Sequence, residues 1–541
     1  MRQTTLSVPL EVKPESSARL TDLIEALRQR EETPPLGHPQ EYARIMRDVP
    51  SLHFMSMSVF PSHDYDPLFI LEANFDGPSG AFWGQIEAAF GEDLRAMLRC
   101  CKRPLDRDGP LYDAVTAPDS RLAVAPYFEA RTMRPSVFHH GNRGMTRDRI
   151  LDEAALFLAI RDELHEADSD GPSPYRGASA AEAHQKLRAA LLPAFPWLDH
   201  RAPKRIPLTE RATDIVRLLL FAVAAVFIVS LPGIILQAFM RTDRYLIALI
   251  GLMIAIVVLL FLKRKPLPGT EAPGKFRPIA FLLRHSLLIV LMLGAYLLIA
   301  VPVATGLHML FRGLGAEAAW QPALRAVLLG LAFIPLALLA LVLRLRYLER
   351  RDSWHDAPHT DEQSLREMVR REDWIAQNHM GSIVLIKPGV LRSIIIHAGH
   401  LGLGLLLRVK ATDGYLGSMR TVHFAHWAFL NNHSRLLFFS NFDHSWDSYL
   451  DDFIEKAHAG LTLAWGCGVG FPPTRFLVLD GASHGRMFKA WALASRAVSR
   501  FWYSAYKDLT VDQIERNARI ATGLRRKSMT EKEAGRWMLD L

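Results

Sequence analysis

Hydrophobic positions along this chain follow two different patterns. Between residues 218 and 343 they are nearly continuous. Four runs, Leu218–Met240, Tyr245–Leu262, Ser286–Leu310 and Ala326–Leu343, have 23, 18, 25 and 18 residues and contain no Asp, Glu, Lys or Arg. Each is long enough to cross a hydrocarbon core of about 30 Å as a helix. Pro232, Pro302 and Pro335 are compatible with this, because a membrane helix re-satisfies freed carbonyls through its neighbours. The pattern predicts a four-helix membrane block over 211–345. On either side the runs shorten to strand length and alternate with amphipathic helical stretches.

These flanking parts share an order of landmarks. Leu52-His53-Phe54 opens a strand in the first, and Val422-His423-Phe424 opens one in the second. A turn and a second apolar strand lead to Asn74-Phe75-Asp76 in one and Asn441-Phe442-Asp443 in the other, each before a helix. Cys100 and Cys467 both stand 24 residues beyond those aspartates. Further on, Met145-Thr146 and Leu509-Thr510 each start a helix with Thr as N-cap. Five landmarks in one order predict an internal duplication.

In the second copy the reading is strand 422–430, strand 436–441, helix 445–459, strand 474–480, helix 484–496, strand 499–506 and helix 510–522. The predicted fold class is α+β plus transmembrane helical: duplicated ferredoxin-like units interrupted by a four-helix membrane block. The first repeat is expected over 1–210, a juxtamembrane helical connector over 346–415 and the second repeat over 416–541. An even number of spans returns the chain to one side, so the copies can join sheet to sheet. The stretch 391–409 is also apolar. Its Arg392, His397, His400 and Arg408 are costly at a bilayer centre, which favours an interfacial or core helix over a fifth span.

Composition then narrows the class. Hydrophobic residues make up 50% and charged residues 22% of the 541, and the mean hydropathy is +0.08. Wholesale disorder is excluded, and part of the chain is expected in lipid. Basic residues number five, six and four in the flanks and loop on one side of the block, against two and two on the other. The positive-inside rule therefore places both termini in the cytoplasm. This asymmetry accounts for much of the +8 net charge without invoking nucleic acid. Three cysteines with no metal-site spacing point to a reducing compartment. The start of the chain lacks the continuous apolar stretch of a secretory signal, so the first membrane helix is expected to direct insertion.

The phrases VHFAHW, LLFFSNFDHSWDSYLDDFIEKA, GFPPTRFLVLDGA and FWYSAYKDLT, with Lys387-Pro388-Gly389 before them, resemble a bacterial family of uncharacterised multi-pass membrane proteins over most of residues 370–541. More loosely, the paired units resemble the dimeric α+β barrel group, which includes the haem-binding dye-decolourising peroxidases and chlorite dismutases. That resemblance implies paired sheets and a ligand cavity. The peroxidases' G-x-x-D-G signature is not matched, since Leu105 stands where Asp108-Gly109 would need a glycine.

Candidate chemistry centres on the repeated positions. A His with a free ring nitrogen can ligate haem iron or act as a base, or it can bond to a neighbouring strand. Asp76 and Asp443 stand at a strand exit before a helix, where a carboxylate caps the helix or serves a site. Trp446 and Tyr449 share a helical face that is either core or ligand contact. The expected catalytic residues are His423, Asp443 and Tyr449, and the expected ligand-binding residues are His53, Asn74, Asp76, Asn441 and Trp446. No metal site is expected, and haem is the cofactor the resemblance suggests. The expected partners are the lipid bilayer and an apolar ligand, with oligomeric state left open. One reading is a membrane-tethered domain that binds an apolar or haem-like ligand between its repeats, with oxidoreductase chemistry on a lipid-soluble substrate. The other is a non-enzymatic scaffold or regulatory module. The spans argue against a pump or channel, since His308 is their only ionisable side chain of the kind such proteins use.

Overall fold

The computed structural model describes residues 3–33, 44–62, 65–169, 173–262, 286–353, 356, 361–372, 376–411, 413–416, 419–475 and 479–541. The chain divides into two compact units, residues 1–211 with 353–541, and residues 212–352.

The first unit is mixed α and β. Its strands are β1 (Gln3–Glu11), β2 (Leu52–Phe60), β3 (Leu68–Asp76), β4 (Val137–His140), β5 (Gln377–Leu385), β6 (Val422–Leu430), β7 (Arg435–Asp443), β8 (Thr474–Arg475), β9 (Leu479–Asp480), β10 (Arg496–Ala497) and β11 (Ser499–Ser504). One sheet has the order β1-β3-β2-β11 and the other β10-β5-β7-β6-β4. Ladder neighbours are antiparallel throughout. Each half of the chain sends one strand into the other half's sheet: β4 pairs with β6, and β11 pairs with β2.

Alternation along the strands explains the layering. Leu6, Val8 and Leu10 of β1, with Met55, Met57, Leu71 and Phe75, face the helices Ser17–Glu32 and Ser79–Arg99. In the second sheet Trp427, Phe429, Phe438 and Phe442 face the helix Trp446–Trp465. The alternate positions point toward the other sheet. There Phe60, Ile70, Leu437 and Phe439 make one apolar cluster, while Phe54, Phe424 and Tyr506 belong to another. Between these clusters the facing side chains are Thr5, Ser7, Ser56, Glu72, Asn74, His140, His379 and His426, all buried. Gly381 of β5 stands opposite Phe439 of β7, and glycine leaves room for that ring, since a Cβ there would lie 2.3 Å from it.

Several expectations need correction. β1 and β5, which pair with β3 and β7, are not among the expected strands, and the stretch 346–415, expected as a helical connector, contributes β5 to the second sheet. The expected strand 474–480 is only the small β8–β9 hairpin, apart from the main sheets. The helix expected over 445–459 runs on to Trp465.

Three helices among the described residues are long and apolar enough to cross a membrane: Leu208–Phe239, Ser286–Arg312 and Val390–Lys410. The run expected as the fourth span is not one helix. Ala316–Ala332 and Ile334–Glu349 are separate, and the pair is bent by 46° at a break beside Phe333. Pro335 lacks the N–H that would carry the helix through this point. The run 245–262 lies in the helix Thr242–Leu262, and Pro232 and Pro302 sit inside continuous helices. The basic loop between the second and third runs lies outside the described residues.

Val390–Lys410 belongs to the first unit. It connects β5 to β6, which run parallel because both are antiparallel to β7 lying between them. Ser136 Oγ stands 3.0 Å from His400 Nδ1, and His400 Nε2 is 3.1 Å from the Ala464 carbonyl oxygen, so one face is fastened to the protein. The other face leaves Val390 80%, Ile394 60% and Leu401 54% exposed.

Candidate functional site

His53 and His423 occupy matched irregularities of the ladder. The register shifts between Leu52 and Phe54 in β2, and between Val422 and Phe424 in β6. Such a bulge re-aims the extra side chain, and both imidazoles meet the aspartate closing the neighbouring strand. His423 Nε2 is 2.8 Å from Asp443 Oδ1, and His53 Nε2 is 3.1 Å from Asp76 Oδ2. The aspartates also take up helix-start amides: Arg147 N donates to Asp76 at 2.8 Å and Val511 N to Asp443 at 2.9 Å. A carboxylate at a helix N-terminus is electrostatically favoured. Each His–Asp pair therefore ties a strand to the start of a helix.

Tyr506 Oη lies 2.8 Å from His53 Nδ1. Burial, and then the nearby Asp76 charge, push this phenol well above its ordinary pKa, so it keeps its proton.

The remaining expected residues are dispersed. Tyr449 donates to Ser440 at 2.9 Å and stacks on Phe442 at 4.1 Å, on the helix-covered face of the sheet. His423 and Asp443 are on the opposite face, so the three-residue site does not assemble. Trp446 is core to the same helix layer, with the Arg496 guanidinium 4.9 Å from its ring. Asn74 donates to Glu72 at 2.6 Å and accepts from Thr5 at 2.8 Å, while Asn441 accepts from Trp502 at 2.7 Å. Asn441 thereby bridges the two sheets, while Asn74 braces the polar face of the first. Cys100 and Cys467 are buried, and burial raises the Cys467 thiol to about 12, which makes it a poor nucleophile.

Haem does not fit the residues expected to hold it. His423 Nδ1 has no hydrogen-bond partner, yet its ring is enclosed by Phe54 at 5.4 Å and Tyr506 at 6.1 Å. His53 has Tyr506 on one nitrogen and Asp76 beside the other. A flat macrocycle needs open space over a ring nitrogen, and neither histidine offers it. Among the described residues no group of three or more His, Cys, Asp or Glu is placed to hold a metal ion.

Open space lies elsewhere. A cleft of about 950 Å³ runs beside β11 and the start of β5. Its walls include Met46, Leu151, Leu158, Met368, Trp502 and Tyr503, and the polar groups His379, Ser499, Arg371 and Arg496 converge on it. Behind His379 stands Glu72, fully enclosed. Glu72 accepts from Ser56 at 2.9 Å and Asn74 at 2.6 Å, with His379 Nε2 at 3.3 Å and His426 Nδ1 at 3.7 Å. Burial pushes the Glu72 carboxyl up, but the two histidines and Asn74 outweigh it and hold the group below its ordinary value. It is therefore a buried carboxylate at neutral pH. Burial drives His426 the other way, to about 4, so that ring is neutral.

None of Glu72, His379 and Ser499 was anticipated as a site residue. The one signal was an acid inside the apolar run Leu68–Ala73, where a carboxylate needs a partner. His379 and Ser499 carry no comparable mark. No family model matches the chain, and neither a curated protein nor a solved structure matches it.

Proposed function

We propose that the first unit is two copies of one ferredoxin-like α+β unit with an exchanged strand, held at the cytoplasmic face of a bacterial membrane, and that it binds a small amphipathic molecule in the cleft beside β11. The cleft carries this reading: its volume of about 950 Å³ lies within the range of small-molecule sites, about 300–1,000 Å³, with apolar walls and few convergent polar groups. The apolar body lies along Met46, Leu158 and Met368 and the polar end faces His379 and Arg371. Matching strand order, paired bulges and the two His–Asp pairs support the duplication, and the likeness to dimeric α+β barrels rests on the same features.

A dansylated fatty acid in detergent-solubilised protein tests the cleft. Saturable binding with enhanced emission is expected. Ala155 is an exposed residue of the helix wall, so Ala155→Trp fills the space without entering a core, and at least a tenfold weaker Kd is expected with an unchanged melting temperature. Equal binding by the variant would remove the cleft from consideration.

The bilayer is assigned to the exposed face of Val390–Lys410. Arg143 links the end of this helix to the start of the first apolar helix, donating to the Arg408 carbonyl at 2.7 Å and pairing with Glu210 at 2.5 Å. The native cysteines are buried, so Ile394→Cys gives one reactive site for an environment-sensitive dye. In nanodiscs its emission is expected to be blue-shifted and quenched by spin-labelled lipid, whereas dye at Leu105→Cys, a fully exposed position, stays red-shifted. Identical spectra at both positions would count against lipid contact.

A further inference from the structure

We infer that Ser499, His379 and Glu72 form a nucleophile, base and orienting carboxylate for acyl transfer, and that the cleft takes an ester of an apolar acid or alcohol. The inference rests on the cleft being a ligand site and adds the chemistry done there.

Among the described residues, three serine or threonine hydroxyls pair with imidazoles between the sheets. Thr5 with His140, at 3.0 Å, and Ser7 with His426, at 2.8 Å, are buried members of the intersheet layer. Ser499 with His379, at 2.6 Å, differs in that both residues line the cleft. Behind it His379 Nε2 faces Glu72 Oε2 at 3.3 Å, closer than the 3.7 Å at which His426 Nδ1 faces the same carboxylate. That approach is off-line and leaves Nε2 without an aligned hydrogen bond, a looseness common in unliganded sites that tighten on binding. The three groups come from β3, β5 and β11, so both sheets are needed to assemble them. Ser499 begins β11 where the chain leaves the second sheet for the first, and the ladder shifts register between Ser499 and Phe501. Bulges of this kind recur beside active sites.

The chemistry follows from these positions. With its proton on Nε2, toward the carboxylate, His379 presents a bare Nδ1 to the Ser499 hydroxyl. Ser499 Oγ bonds to the ester carbonyl carbon while its proton passes to Nδ1. The carbon–oxygen bond to the alcohol then breaks, and the departing oxygen takes that proton. Water repeats the sequence on the acyl-serine and releases the carboxylic acid. Glu72 balances the imidazolium formed in each half. The Arg371 guanidinium, held by Glu25 at 2.7 Å and Glu367 at 2.8 Å, donates to the Ser499 carbonyl oxygen at 3.3 Å and so fixes the backbone that carries the nucleophile.

The test uses the full-length protein in mild detergent and an alkyl fluorophosphonate probe, with mass spectrometry of the labelled peptide. Wild type is expected to be labelled at Ser499, Ser499→Ala not at all, and His379→Gln about a hundredfold more slowly, in line with removal of a general base. Thermal melts of both variants establish that they fold. Glu72→Gln is expected to slow labelling and change its pH profile, which a purely structural role would not do in protein that melts normally. Labelling elsewhere, or its persistence in Ser499→Ala, overturns the inference. Wild type that binds the dansylated fatty acid but is never labelled at Ser499 overturns it while leaving the cleft as a binding site. Failure to bind and to label overturns both.

Discussion

Acidification from pH 7 to pH 5 is expected to destabilise the α+β unit by about 2 kcal/mol for each buried histidine whose pKa falls near 4. His139 and His426 are two such groups, each held at about 4, chiefly by burial. His140 is pushed the same way, well below its ordinary value, chiefly by burial. The sign is fixed by comparing states. In the unfolded chain these rings titrate near about 6.5, so between roughly 6.5 and 4 the unfolded state binds protons that the folded state does not. Their stabilising contribution is complete above 6.5 and is lost as pH falls toward 4. Glu72, whose folded pKa is depressed, loses its contribution only at lower pH, below its ordinary value. Urea midpoints followed by tryptophan fluorescence at pH 7, 6 and 5 are expected to fall steadily, and His139→Leu to shallow the slope. A midpoint independent of pH over this range would mean the rings are not held neutral inside the fold.

Asp443→Ala is expected to cost about 3–5 kcal/mol, the loss typical of removing one partner from a buried pair. It strands two groups together: His423 Nε2 loses its acceptor and the Val511 amide, at the first turn of Val511–Leu524, loses its cap. Asp443→Asn keeps one oxygen and is expected to cost less than half as much. Asp76→Ala is expected to follow the same order, since Asp76 holds the Arg147 amide in the same way. Denaturant unfolding of the three variants measures this, and an Asp443→Ala protein within 1 kcal/mol of wild type would remove the His–Asp pair from the account of stability.

Legibility in the sequence followed the range of the physics involved. The strands β2, β3, β6 and β7, and the helix starting at Thr510 with its Thr510–Gln513 capping box, depend on neighbours a few residues away. So do the long apolar runs, although Pro335 divided the last of them. β1 was missed although Leu6, Val8 and Leu10 alternate with Thr5, Ser7 and Pro9, because its pairing partner β3 lies some sixty residues onward. The exchange of β4 and β11 is less legible still, since each pairs across more than 280 residues of chain. Among site residues, the matched histidines and aspartates were visible because they repeat. Glu72, His379 and Ser499 occur once each, and no local spacing joins them.

What the sequence by itself determined is the sorting of segments: which stretches are apolar enough for lipid, which positions along a strand alternate, and which landmarks occur twice. These follow from periodicity and side-chain chemistry within one element. What only the tertiary structure decided is the destination of the polar strand faces. A strand with Ser, Thr, Asn and His on one side reads as half-exposed, yet here those faces are turned toward each other and buried. They satisfy most of their hydrogen bonds across the gap between sheets, which local sequence does not encode. That burial keeps His426 neutral and Glu72 charged, and it carries a carboxylate of the first sheet to within 3.3 Å of a histidine of the second at the floor of a cleft.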